Sequence, residues 1–351
     1  MKRKSILFVY SQWQSFVRED YNLLSDELKV NKLQFELNKS LFAFIKGQLL
    51  GIISLLKQVP RHDVSYIWFC DYHAFWSVLI SKIFNKKSII IVGGFDAVRI
   101  PSIDYGLFMD SGLRVKLAKW AYRNCDRIIA VDQSLIKGEN TYAGKGAITG
   151  VAHFVEGIEE KSLVIPTGYD SGKWKSKVKK RQVLTIALIK DKKVFNRKGI
   201  DLYLNVAKRM PEVPFYLVGL QNLSLIPEDL RDLPNLTIYP ILPQEDLINL
   251  YAESEVYAQF SVSEGLPNVL CEAMMSGCVP VGTSANGIPN AIGDCGFVLH
   301  EKDVDKAVGL VNKALKSGEE LAICSQNRIK SMFWFEDRKE RLLKVIQELL
   351  N

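Results

Sequence analysis

The sequence predicts an α/β protein with two successive parallel-sheet domains and a cleft between them. Three observations carry this. Strand-like apolar runs alternate with helical stretches in both halves of the chain. At 351 residues the chain is long enough for two cores at roughly 150 residues each. Between the halves lies a polar, basic stretch, residues 171–182, that reads as an interdomain linker.

In the first half the expected strands are Ser5–Tyr10, Val64–Phe69, Ser88–Val92, Arg127–Val131 and Ser162–Ile165, with helices at Phe75–Phe84 and Leu113–Asn124 between them. The second alternation runs strand Val183–Ile189, helix Gly199–Met210, strands Phe215–Val218 and Leu236–Ile238, helix Gln244–Ala252 and strand Val256–Phe260. It continues with helix Asn268–Ser276, strand Val279–Val281, a short strand near Phe297–Leu299 and helices from Val304 onward. The divisions expected are therefore 1–170, the linker 171–182, 183–335, and a C-terminal amphipathic helix over 336–351 suited to packing back on the first domain.

Composition excludes several classes. The chain is 48% hydrophobic and 24% charged, which rules out disorder, and it has neither a fixed-period repeat nor a low-complexity tract. Six scattered cysteines without a CxxC pair fit buried thiols in a reducing compartment. Four histidines form no metal-binding spacing, so no metal is expected. The basic start is followed by an apolar run of only five residues, Ile6 to Tyr10, which suits a buried strand better than a signal peptide. Leu41–Leu56 is apolar over 16 residues but contains Lys46 and Gln48, short of the roughly 20 residues of a span. It reads as a core helix or a membrane-surface helix, the core helix first.

The net charge of +7 is unevenly spread. Residues 1–170 carry 22 basic and 17 acidic side chains, the linker six basic and none acidic, and residues 183–351 carry 18 and 22. A basic front half suits an anionic partner such as phospholipid, lipid phosphate or nucleic acid; a solvated lysine-rich linker explains 171–182 at least as well.

Ligands of parallel sheets bind beyond the carboxyl ends of the strands, so the loops there hold the candidate chemistry. The first is Ser263–Gly277, where a strand end leads into a helix start with Pro267 in its first turn and Gly277 as C-terminal cap. Free amides at Leu266, Asn268 and Val269 would make an anion site at the helix start. Glu264 and Glu272, with seven residues between them, suit hydrogen bonds from sugar and ribose hydroxyls; the alternative is that Glu264 caps the helix and Glu272 is solvated.

A second candidate is the cationic loop Lys190–Asp201, whose lysines and Arg197 suit a diphosphate leaving group, or else a solvated face. In the first domain Gly93 and Gly94 follow a strand and precede Asp96; a tight turn is the better reading, although the glycines also allow close approach to a ligand. Asp303-Val304-Asp305 reads as a helix cap and not as a metal motif.

Together these residues resemble the GT-B retaining glycosyltransferases of the family-4 type (glycosyl transferases group 1). The likeness runs through Arg123–Val131, Val164–Asp170, the Lys198-Gly199 loop, Phe215–Gly219, Glu264–Glu272 and Cys278–Asn290. It implies two Rossmann-like domains (GT-B) and transfer of a sugar from a UDP- or GDP-sugar to a glycan or lipid-linked glycan. The setting expected is cytoplasmic; peripheral contact with the inner face of an anionic membrane is a separate expectation, resting on the basic first domain. The implied enzyme works without a metal or other cofactor and has no nucleic-acid partner.

By the same resemblance Glu264 contacts the donor sugar and Glu272 the ribose, and the backbone of Gly265, Leu266, Pro267, Asn268 and Val269 holds sugar and phosphate. Lys198 binds the diphosphate with one of Lys190, Lys192 or Arg197. Gly219 and Ile241 lie near the nucleoside, and Gly93, Gly94 and Asp96 face the acceptor. The chain departs from the family pattern at Ala187-Leu188-Ile189-Lys190, where a Gly-Arg pair is usual, and at Gly93, where a histidine is often found. The competing readings are a non-catalytic nucleotide-sugar or anionic-lipid binder and a nicotinamide-dependent oxidoreductase, the latter lacking its glycine fingerprint.

Overall fold

A computed structural model describes residues 4–36 and 40–351. Met1–Arg3, most of the basic start, lies outside the described residues.

The first half folds as strands β1 (Ser5–Tyr10), β2 (Lys29–Gln34), β3 (Val64–Trp68), β4 (Lys87–Val92), β5 (Val98–Arg99), β6 (Arg127–Ala130), β7 (Ile148–Thr149) and β8 (Ser162–Val164). Its helices are α1 (Ser15–Glu27), α2 (Leu41–Gln58), α3 (Tyr72–Ile83) and α4 (Leu113–Asn124). Six strands form one parallel sheet in the order β2-β1-β3-β4-β6-β8, and β5 and β7 make a small antiparallel pair beside it. Ile6, Leu7, Phe8 and Val9 of β1 and Ile89, Ile90, Ile91 and Val92 of β4 are wholly buried, as strands covered on both faces must be.

The second half carries β9 (Lys180–Ile189), β10 (Phe215–Leu220), β11 (Leu236–Tyr239), β12 (Ser254–Gln259), β13 (Val279–Thr283) and β14 (Phe297–Leu299) in the parallel order β11-β10-β9-β12-β13-β14. Around them lie α5 (Lys192–Arg197), α6 (Ile200–Arg209), α7 (Gln244–Glu253), α8 (Asn268–Met275), α9 (Ile288–Ile292), α10 (Val304–Ala314) and α11 (Gly318–Met332). The last helix, α12 (Phe335–Leu350), returns to the first domain. There Arg338, inaccessible to solvent, grips Asp20 of α1 with Nε to Oδ1 at 2.6 Å and Nη2 to Oδ2 at 2.7 Å, and its Nη1 donates to the carbonyls of Ile165 and Pro166. Tyr66 and Trp68 also donate to Asp20, so this carboxylate is fully satisfied although buried.

Several expectations are corrected. The apolar segment from Leu41 forms a helix, but not a core helix: only Gly51 and Leu55 are buried, and Gly51 fits beneath the ring of Phe35 where a Cβ would clash. With its continuation to Arg61 the helix is long and apolar enough, by length and composition, to be a candidate span. Cys295 and Cys324 are disulfide-bonded and not free thiols, because α11 brings positions 29 residues apart to a Cα separation of 5.3 Å; the other four cysteines are buried thiols. Residues 180–182 already belong to β9, so the connecting stretch ends at Lys179, three residues before Gln182. Strand β2 and helix α1 go beyond the sequence expectation. β2 is mostly exposed at the sheet edge, so its residues carry no buried apolar pattern.

Candidate active site

The centre of the site is built by the carboxyl ends of β9 and β12. Chain leaving β9 turns at Asp191, which caps α5 through a bond from the Val194 amide, and then runs into Gly199. Gly199 has φ +63°, and a Cβ there would stand 1.9 Å from the Phe260 carbonyl oxygen, so only glycine lets this turn pack on the end of β12. The turn presents Lys198 to Glu264, Nζ to Oε1 at 2.6 Å. Ser261 and Gln259 donate to the same oxygen, and Arg197 stands 3.8 Å from Oε2. Burial favours the neutral carboxyl of Glu264, but Lys198 and Arg197 outweigh it and hold the group below its ordinary value. Burial also lowers Lys198, with Glu264 opposing.

Of the three candidate second cations, Arg197 is the one brought to this cluster. Its guanidinium lies 5.0 Å from the Tyr105 ring of the first domain, and Nη1 donates to the Ser263 carbonyl. Lys192 reaches the Leu225 carbonyl and lies over the Phe195 ring, and Lys190 is exposed. The expected cationic loop is thus largely a short helix whose last residue, and not its first, turns inward.

Past Glu264 the chain enters α8. Among the described residues the amides of Leu266, Asn268 and Val269 donate to no protein acceptor, as the first turn of a helix leaves them. Pro267 is the N-cap residue and leaves no donor to satisfy, while the Asn268 side chain accepts from Thr167 and Tyr169 of the first domain. Glu272 is not in the Glu264 cluster. It faces a cavity of about 140 Å³ between the domains, which Ser15, Glu19, Lys173 and Asn268 also line, and accepts from Tyr251 at 3.1 Å. Burial pushes its carboxyl up to about 7, the Tyr251 bond and Lys173 opposing and Glu19 adding.

The first-domain loop meets this site backbone to backbone. A Cβ on Gly265 would stand 2.2 Å from the Gly93 carbonyl oxygen, and one on Gly94, φ +143°, would stand 3.3 Å from the Gly265 nitrogen. Asp96 is turned away from the cleft. Its oxygens accept from the amides of Cys70, Gly93 and Gly94 and from the Tyr122 hydroxyl, and burial raises it to about 6. It shapes the loop and does not face an acceptor, because a buried carboxylate must spend its lone pairs on nearby donors. Gly219, at φ +103°, lies so close to Ala187 that a Cβ would stand 2.1 Å from its carbonyl oxygen, a strand-packing role; Ile241 is exposed.

Further bonds across the domains involve residues that spacing did not single out. Asn140 donates to the Val262 carbonyl and to Asn286, Asn290 donates to Asp132, and Lys193 pairs with Asp104. Partners 89 to 158 residues apart leave no local signal. Among the described residues no group of three or more His, Cys, Asp or Glu side chains is placed to hold a metal.

With this geometry in place, the likenesses become specific. Residues 171–331 match the family described as Glycosyl transferases group 1. The matched stretch is the second half of the chain, from the connecting segment to the end of α11. A curated relative, one subunit of the phosphatidylinositol N-acetylglucosaminyltransferase of Arabidopsis thaliana, is 23% identical over 194 residues. That match takes in 52% of this chain and spans 42% of the relative's length. Among solved structures, sucrose-phosphate synthase of Thermosynechococcus elongatus superposes with a TM-score of 0.76 at 12% identity, covering 99% of both chains. Anabaena HepE in complex with UDP gives 0.73 at 15% identity, covering 98% of this chain and 100% of that one. The fold is that of these neighbours, the two-domain GT-B architecture.

Proposed function

We propose that the protein is a retaining glycosyltransferase that moves a sugar from a UDP- or GDP-sugar to a glycan or lipid-linked glycan, without a metal. The observation that carries the reading is the cluster of Lys198, Arg197 and Glu264 at the start of α8, inside the domain that matches the glycosyltransferase family. Two half-buried cations beside an amide-lined helix start suit a diphosphate, and the carboxylate between them suits sugar hydroxyls.

As the bond from the anomeric carbon to the diphosphate oxygen breaks, its electron pair goes to the diphosphate. Lys198 and Arg197 take up the growing charge, which is the work a metal does elsewhere. An acceptor hydroxyl attacks from the face the diphosphate leaves, its proton passing to the departing phosphate oxygen. Glu264 holds the sugar in register, and Glu272, in the interdomain cavity, supplies an acceptor for ribose. We place the enzyme in the cytoplasm, in the synthesis of a surface polysaccharide or glycoconjugate.

The test is calorimetric binding of UDP, GDP and ADP in EDTA, followed by donor turnover. One nucleotide should bind, and Lys198→Ala should lower turnover by about 100-fold or more while the fold is kept. Wild-type turnover in Lys198→Ala would remove the assignment. Silence from all three nucleotides would favour a binder of anionic lipid over a transferase.

A further inference from the structure

The face formed by α2, α3 and α4 is unlike the rest of the surface. Right-handed crossovers put these three helices side by side on one face of the first sheet, α2 against α3 and α3 against α4. On α2, Leu41, Ile45, Leu49, Ile53 and Leu56 recur three and four residues apart, and these five with Phe42 are 45–80% exposed. Ile83 and Phe84 at the end of α3, and Leu113 at the start of α4, are exposed as well. The three helices hold seven lysine and arginine residues and not one aspartate or glutamate. Only Arg114 of these seven has an ion-pair partner among the described residues, Asp71.

Bare apolar side chains set among unbalanced cations are complementary to one surface, a bilayer with anionic headgroups. A protein partner would have to match both features side chain by side chain, whereas a bilayer offers them as a continuum. A spanning role for α2 is excluded by topology. The chain enters it from β2 and leaves it into β3, and both strands flank β1 in one sheet, so both ends of the helix stay on one side.

This face is continuous with the candidate active site. Phe44, in the first turn of α2, packs against Tyr72 at 5.2 Å. Tyr72 follows Asp71, whose carboxylate holds Arg114; Arg114 lies 5.2 Å from the Phe95 ring, and Phe95 packs on Tyr105. Tyr105 is the residue beneath Arg197. Contacts thus run unbroken from the exposed helix to the cation beside Glu264.

We infer that the α2–α3–α4 face docks on an anionic phospholipid bilayer, with the first turn of α2 at the cleft rim, so that the acceptor is a lipid-linked glycan or headgroup presented from that bilayer. This rests on the glycosyltransferase reading for the acceptor alone; docking stands or falls without it.

The experiment is vesicle flotation of the full chain at low salt, with phosphatidylcholine alone and with phosphatidylcholine containing phosphatidylglycerol. The chain should float with the anionic vesicles only, and added salt should release it. Leu49→Glu with Ile53→Glu changes two exposed positions remote from the cluster, and each should weaken partitioning by roughly fivefold. Lys116→Glu with Lys119→Glu should do the same on α4. UDP calorimetry on each variant separates the two readings, because a folded donor site binds nucleotide whether or not the face docks. Absence of wild-type flotation, unchanged flotation of both double variants, or a wild-type dimer in lipid-free solution that Leu49→Glu with Ile53→Glu makes monomeric would overturn the inference; the last would show that a second copy covers the face.

Discussion

Asp20→Ala tests how α12 is attached. In the wild type the Asp20 carboxylate takes two bonds from Arg338 and one each from Tyr66 and Trp68, all three partners being inaccessible to solvent. Removing it leaves a buried guanidinium whose remaining bonds go only to the carbonyls of Ile165 and Pro166. Breaking one side of such a pair costs about 3–5 kcal/mol, more than the lost attraction, because the remaining charge has no water to return to. Replacing both, Asp20→Leu with Arg338→Met, removes the stranded charge and should cost clearly less than Asp20→Ala. The readouts are urea unfolding followed by far-ultraviolet circular dichroism and amide hydrogen exchange over α12, where protection should fall first. A loss under about 1 kcal/mol for Asp20→Ala, or a double variant as damaging as the sum of the singles, would refute the reasoning.

Three further outcomes follow from geometry already described. Gly265→Ala should push the Gly93 loop away, since the new Cβ would stand 2.2 Å from a carbonyl oxygen; transfer should fall by about 100-fold in a turnover assay, with nucleotide affinity far less changed. Burial raises Glu272 to about 7, so the folded state binds its proton more tightly than the unfolded state, and stability falls as pH rises from about 4.5 to about 7. The accumulated loss is about 3 kcal/mol, and Glu272→Gln should flatten that part of a stability–pH curve. Thiol titration of the unfolded, unreduced chain should find four reactive cysteines and the reduced chain six, and Cys324→Ser should expose the thiol of Cys295.

The sequence made the fold legible where strands are buried on both faces. Runs such as Ile89-Ile90-Ile91 and Val256-Tyr257-Ala258 announce themselves by composition, since a covered parallel sheet tolerates nothing else. Edge strand β2 does not, because Lys29, Asn31 and Lys32 face solvent and show no pattern. The site divides in the same way. Lys198 and Glu264 come together because each lies just beyond a strand end, a position that topology makes meaningful. Arg197 could not be chosen over Lys190 and Lys192, since that choice depends on which end of a one-turn helix points inward. At Asp96 the tight turn favoured from the residues is what forms, and the acceptor-facing role implied by the resemblance does not, because the amides of Cys70, Gly93 and Gly94 claim the carboxylate. For α2 the hydropathy was correct, but hydropathy reports what a helix avoids, not whether the protein covers it.

The attachment of α12 also bears on how the chain is made. Asp20 and Arg338 are 318 residues apart, so a ribosome adding about 5–20 residues per second leaves Asp20 without its partner for roughly 15 s to a minute. Throughout that interval the nascent first domain holds a carboxylate among Tyr66 and Trp68 with no cation to balance it. Emergence of Arg338, and not completion of the first sheet, is therefore the event that closes this domain. A chain stopped short of Arg338 would carry every strand of both sheets and still present an open, chaperone-accessible seam beside α1.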